Sequence, residues 1–220
     1  MASSPQSPLP PDIAEARARL GAAFRRLSHT IAGHHISADD ADRTTGALTG
    51  LADQLANGER RDRVTERPTG DWGPAPVDGA RMYSFDERPV SGRSAPLGFD
   101  VDVFRDGHEA VGQVTLGKAH EGAPARSHGG IVSALFDDLF GFVLTIEQQP
   151  AFTGELTIRY EAPTPIDEPL ACRVRLTERD GRKLHMTGEL TVLRTGQVTA
   201  RGRAIFIAID PDAFRSGATT

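Results

Sequence analysis

Asp137 and Asp138 stand side by side in the most apolar stretch of the chain, residues 129–147. A carboxylate in such a stretch is costly unless it is paired, neutralised or turned to a wet groove. On a helix, Ser133, Asp137, Gly141 and Thr145 share one face, and the small residues flanking Asp137 leave room for a groove. Asp138 points about 100° away from Asp137. The competing reading is that both acids merely surface at a helix edge. Directly upstream lies Ser127-His128-Gly129-Gly130. Glycines at a helix start let a ligand approach the backbone, whose first N–H groups lack helical partners. Donors so placed suit a carbonyl oxygen that becomes negative during acyl transfer. The His-Gly-Gly tripeptide alone is a weak signal, and Asp137, nine residues after His128, sharpens it.

The elements that must position these residues follow from periodicity. Residues 129–147 are apolar in nearly every direction, as a helix buried in protein would be, and read as too short for a membrane. Around it the texture is β: 82–85, 99–104, 110–116, 156–160, 170–176, 184–192 and 199–207 alternate apolar and polar residues. Asp106-Gly107, Asp180-Gly181 and Thr195-Gly196 supply tight turns. The expected architecture is α+β, a meander of antiparallel strands wrapped around one long central helix.

The first 80 residues differ in character. Residues 1–11 are rich in Pro and Ser and read as a disordered tail. Ile13, Leu20, Phe24, Leu27 and Ile31 give a helix starting at Asp12 and stopping at Gly33. A second helix starts near Ser37, with Asp39 and Asp40 in its first turn, an apolar stripe of Leu48, Leu51 and Leu55, and an end at Asn57-Gly58. Two amphipathic helices must pack on each other or on something larger. Residues 59–80, a charge run and then repeated Pro and Gly, read as a linker in which Trp72 tacks the loop to a surface. The domain reading is a tail to 11, a helical extension over 12–58, a linker over 59–80, a β-rich domain over 81–210 and a tail over 211–220.

A net charge of −5 argues against general affinity for nucleic acid or anionic membrane. No run of roughly eighteen apolar residues occurs, and the N-terminus has no basic region followed by an apolar one, so neither a span nor a secretory signal is expected. The single cysteine, Cys172, reads as a strand thiol in a reducing cytoplasm. His29, His34 and His35 cluster at a helix end without a cysteine or close carboxylate to complete a ligand set, so no metal is assigned.

The segment Ala123 to Gly141, reading APARSHGGIVSALFDDLFG, resembles the signature of hotdog-fold acyl-CoA thioesterases, in particular the phenylacetate-pathway (PaaI-like) and Them-type branch. That pattern has a His-Gly-Gly turn, an Asp nine residues on, and a Thr sixteen residues beyond the Asp, here Thr153 opening Thr-Gly-Glu-Leu156. Arg159 to Pro165 is similar to the family's strand ending in Pro-x-Pro, and Asp180 to Lys183 to its next hairpin. The resemblance covers about residues 95–209 and leaves the first 80 unexplained. A related branch would carry Glu at position 137, and hydratase motifs are absent.

The resemblance implies a hotdog fold and hydrolysis of an acyl-CoA thioester without a cofactor. Asp137 would act as general base on water or as nucleophile. The Gly130 N–H would hold the thioester oxygen, Thr153 would orient the water or the carboxylate, and His128 would brace the turn or hydrogen-bond the thioester. Lys183, Arg159, Arg182 and Gly129, with Arg126, are candidates for contact with CoA. Each site would lie between two protomers of a homodimer, with a dimer of dimers as a further alternative, and without nucleic-acid or membrane partners. A non-catalytic acyl-CoA-binding module is the alternative function, in which the N-terminal helices signal occupancy. The presence of both Asp137 and Thr153 favours the enzyme.

Overall fold

The computed structural model describes residues 9–62 and 74–210. Expectations for residues 1–8, Trp72 and 211–220 fall outside them. Two helices come first, α1 (Pro11–Gly33) and α2 (Ala38–Ala56). β1 (Arg81–Met82), β2 (Val101–Asp106) and β3 (Glu109–Thr115) follow, then the short pair β4 (Glu121–Ala123) and β5 (Arg126–Ser127). The long helix α3 (Gly129–Glu147) precedes β6 (Ala151–Tyr160), β7 (Pro169–Asp180), β8 (Lys183–Val192) and β9 (Val198–Ala208).

All strands but β4 and β5 form one antiparallel sheet in the order β1-β2-β3-β7-β8-β9-β6. Its concave face closes on α3 through Val132, Leu135, Phe136, Leu139, Phe140 and Val143, all buried. Gly202 on β9 permits the close approach, since a Cβ there would come within 2.6 Å of the Phe136 ring. Burial against the sheet accounts for the helix's apolar surface; its 19 residues and hydropathy of 1.6 would otherwise suffice for a membrane span, so length was no argument against one. The order also departs from a simple meander. α3 crosses the concave face and delivers β6 to the far edge beside β9, and residues 161–168 return the chain to β7.

The N-terminal helices pack differently from the expectation. α1 starts one residue before Asp12: Pro10 is its N-cap, Pro11 its first residue, and Asp12 sits in the first turn. The stripe of Ile13, Leu20, Phe24 and Ile31 faces solvent, and α1 instead buries Ala14, Gly21 and Arg25. The reason is the surface it meets, an irregular segment over 84–100 that offers backbone carbonyls rather than an apolar face. Arg25 donates from Nη1 to the Arg93 and Ala95 carbonyls (3.1 and 2.9 Å) and from Nη2 to Asp100 Oδ1 (2.7 Å). Gly21 lies so close to Ser94 that a Cβ would come within 2.7 Å of its carbonyl carbon. α2 starts beside Ser37 as expected, and Ser37 is its N-cap, the Asp40 N–H donating to Ser37 Oγ at 3.1 Å. None of its residues is buried, and Leu51 and Leu55 are exposed within the chain.

Candidate active site

The polar face of α3 is partnered position by position. Ser133 Oγ donates to the Gly129 carbonyl (3.1 Å) and lies 2.9 Å from Tyr160 Oη. Asp137 Oδ1 accepts from Thr153 Oγ1 at 2.8 Å. The space left by Gly141 is filled by the Arg88 guanidinium, whose Nη2 a Cβ at Gly141 would overlap. Thr145 lines the same cavity, of about 210 Å³, with Asp137, Arg88, Tyr83 and Phe142. Thr153 reaches Asp137 because β6 begins earlier than the alternation at 156–160 suggests, and pairs Thr153 with buried Phe206 of β9 on the concave side.

Asp138 is 5 % exposed and paired with Arg88, Nε to Oδ1 at 2.5 Å, while Arg88 Nη2 donates to the Asp138 carbonyl at 2.7 Å. Burial pushes its carboxyl above the ordinary carboxylate value, and the guanidinium pulls against that shift. Arg88 comes from the segment after β1, which leaves the sheet sooner than expected. Beyond Met82, Ser84 Oγ bonds Ser91 Oγ (2.8 Å) and the Ser94 N–H donates to the Asp86 carbonyl (2.7 Å), folding this stretch into the cavity wall. Arg93 then ties the segment to α1, reaching Asp86 at 3.0 Å and Glu15 at 2.7 Å.

At the start of α3, His128 is the N-cap, and its Nδ1 accepts from the Gly130 N–H at 3.0 Å. The donor expected to be open is therefore engaged, because an N-cap side chain that can accept takes the orphan N–H of the first turn. Accepting at Nδ1 places the proton of a neutral imidazole on Nε2. The Gly129 carbonyl accepts from Tyr160 Oη at 2.7 Å, which fastens the turn to the end of β6. Sequence reasoning missed Tyr160 and Arg88; the signal for Arg88 was the partner that a buried Asp138 requires.

The cationic candidates are not gathered at Asp137 within one chain. Arg159 pairs with Arg201 across β9, one residue off the concave row of Ile158 and Gly202, and lies 3.9 Å from Glu161. Lys183 is exposed opposite Ile207, and Arg182 donates from Nε to the Ala208 carbonyl at 3.0 Å. Arg126 is exposed on β5.

Below the turn, the His128 N–H donates to the His120 carbonyl at 2.8 Å. His120 is buried under α1, its ring edge-on to His29 (4.8 Å between centroids) and Phe99 (4.7 Å). His29 is thereby a packing residue, its Nδ1 accepting from the Ala119 N–H at 3.1 Å. Burial, then the neighbouring His29, hold the His120 pKa down at about 4, with Asp100 pulling the other way. A histidine kept neutral in the fold adds stability above the unfolded pKa of 6.5 that is lost as pH falls toward 4, on the order of 3 kcal/mol. Urea midpoints of the native protein and His120→Gln are expected to converge over that window; a pH-independent difference rejects the assignment.

Residues 127–203 match the thioesterase superfamily. The chain is 27% identical to the acyl-coenzyme A thioesterase THEM4 of Mus musculus over 118 residues, 53% of this chain and 51% of that protein. It is 31% identical to THEM5 of Homo sapiens over 67 residues, 30% of this chain and 27% of that one. The chain thus spans about half the length, or less, of these curated relatives. The crystal structure of a thioesterase superfamily protein superposes with a TM-score of 0.70 at 26% identity, over 87% of this chain and 90% of that one.

Proposed function

We propose that this chain, which carries the hotdog fold of the thioesterase superfamily, hydrolyses the thioester bond of an acyl-CoA to give the free acid and CoA. The observation that carries the reading is the Thr153–Asp137 hydrogen bond, 2.8 Å, at the edge of the cavity. A carboxylate held by a hydroxyl in a half-open cavity is oriented either to take a proton from water or to attack the thioester carbon itself. The His128-Gly129-Gly130 turn receives the thioester oxygen, through the Gly130 N–H once the imidazole swings aside or through Nε2–H while it stays.

The working unit is a homodimer. Gly130 and Asp137 are seven residues apart on one helix, about 10 Å along its axis, which is long for one thioester carbonyl touching both groups directly. A second copy brings its own turn to the first copy's carboxylate. The edge strand β6 supports this arrangement, since Phe152 and Tyr160 are exposed on it beside the site, and an open apolar edge favours pairing. Lys183, Arg159 and Arg182 stand outside the concave row, where CoA phosphates would cross the sheet surface.

The test is CoA release, followed with a thiol reagent, from acyl-CoAs of graded length. Steady turnover is the expected result. Binding without release from any of them would instead make the chain an acyl-CoA-binding module.

A further inference from the structure

The cavity beside Asp137 is small and carries one unusual polar group. At about 210 Å³, and with about 30 Å³ per water-sized group, it holds about seven non-hydrogen atoms. Arg88 is the only cation among the described lining residues. Two of its N–H groups are bound to Asp138, and the others have no protein acceptor among the described residues. The guanidinium stacks on Phe142, 5.2 Å from the ring centroid, and is held over Gly141 rather than hanging free. Its charge is already balanced by Asp138. An acyl carboxylate in this cavity would therefore join Asp137 as a second uncompensated anion, whereas a neutral oxygen would find donors and add no charge.

Position narrows the choice further. Gly141 is one helical turn beyond Asp137, about 6 Å along the axis. A hydrogen bond to the guanidinium covers about 3 Å of that distance. The remainder, about 3 Å, is the span from the reacting carbonyl carbon to an oxygen on the third carbon of a bent chain, across two carbon–carbon bonds and one carbon–oxygen bond. We propose that Arg88 is a specificity-determining residue that selects short acyl groups bearing a neutral oxygen on the third carbon, a 3-hydroxyacyl or 3-oxoacyl chain. This rests on the hydrolase reading above.

The experiment compares kcat/KM for butanoyl-CoA, 3-hydroxybutanoyl-CoA and succinyl-CoA in the native protein and in the double variant Arg88→Met/Asp138→Asn, which removes the ion pair as a unit. The native protein is expected to prefer 3-hydroxybutanoyl-CoA over butanoyl-CoA by about tenfold or more, as a hydrogen bond to a charged group allows. Succinyl-CoA is expected to be the poorest of the three, and the double variant to bring the hydroxyl preference to about one. Equal native rates for the first two substrates overturn the assignment, as does a preference for succinyl-CoA or a hydroxyl preference that survives in the variant. The native comparison stands even if the variant does not fold. Absence of CoA release overturns the hydrolase reading instead; calorimetric Kd values for the same ligands then decide on Arg88, a tenfold difference supporting it and equality rejecting it.

Discussion

If the proposed hydrolysis runs through Asp137, Asp137→Asn is expected to lower kcat/KM for acyl-CoA by roughly 10²- to 10⁴-fold, the usual worth of a positioned proton acceptor. The loss falls on kcat more than on KM, because the carboxylate matters most when water or the thioester carbon is being committed to reaction. The substitution keeps shape, and the Thr153 hydroxyl now 2.8 Å from Oδ1 can donate equally to an amide oxygen. The thermal midpoint should therefore stay within a few degrees of the native value. Full activity in the variant would sink the residue assignment while leaving the activity standing. A single turnover in ¹⁸O water identifies a nucleophilic Asp137 where label enters its carboxyl. Water attacking the anhydride at the protein carboxyl leaves label in Asp137; water attacking the acyl carbon, of the anhydride or directly with Asp137 as base, sends the label to the released acid.

The second large effect is on stability. Arg88→Met leaves Asp138, 5 % exposed, without its counter-charge, and breaking a buried pair from one side costs about 3–5 kcal/mol. The sign of its pH dependence follows from Asp138. Its carboxyl already lies above the ordinary value because of burial, and losing the guanidinium raises it further. A group with a raised native pKa holds its proton in the fold where the unfolded chain has released it, so stability falls as pH rises through that interval. Arg88→Met is accordingly expected to be nearer the native protein at pH 5 than at pH 7 in denaturant titrations. Adding Asp138→Asn should recover most of the loss, since replacing both partners removes the stranded charge. A single variant as stable as the native protein at pH 7 contradicts the pairing.

How much of this was legible beforehand depends on what each residue contacts. The bounds of α3 follow from a sequence that is apolar all round and then stops, and the structure gives Gly129–Glu147. The hairpins at Gly107, Gly181 and Gly196 follow from residues that tolerate positive φ, which all three adopt (60°, 56° and 71°). The Asp137–Thr153 contact was reached through the resemblance rather than through periodicity, because Thr153 precedes the alternation that marks the strand. Asp138 demanded a partner, but nothing local says that it lies fifty residues upstream in a segment without regular structure. The docking face of α1 was misread for a related reason. Hydropathy marks surfaces that leave water for other apolar groups, whereas Gly21 and Arg25 meet backbone carbonyls.

Arg88, Asp138 and Gly141 also bear on how such a site can change over generations. Each is tolerable only beside the other two: the guanidinium needs the missing side chain at Gly141, the buried acid needs the guanidinium, and an empty Gly141 without Arg88 leaves a void against Phe142. Replacing Arg88 alone therefore leads through a poorly folded intermediate, and a chain altering the end of its cavity has to change Arg88 and Asp138 within few steps. Thr153 and Tyr160 carry no comparable constraint from this triple. The Asp137–Thr153 end of the cavity and the Arg88 end, which the proposal above assigns to reading the acyl group, are thus free to diverge at different rates.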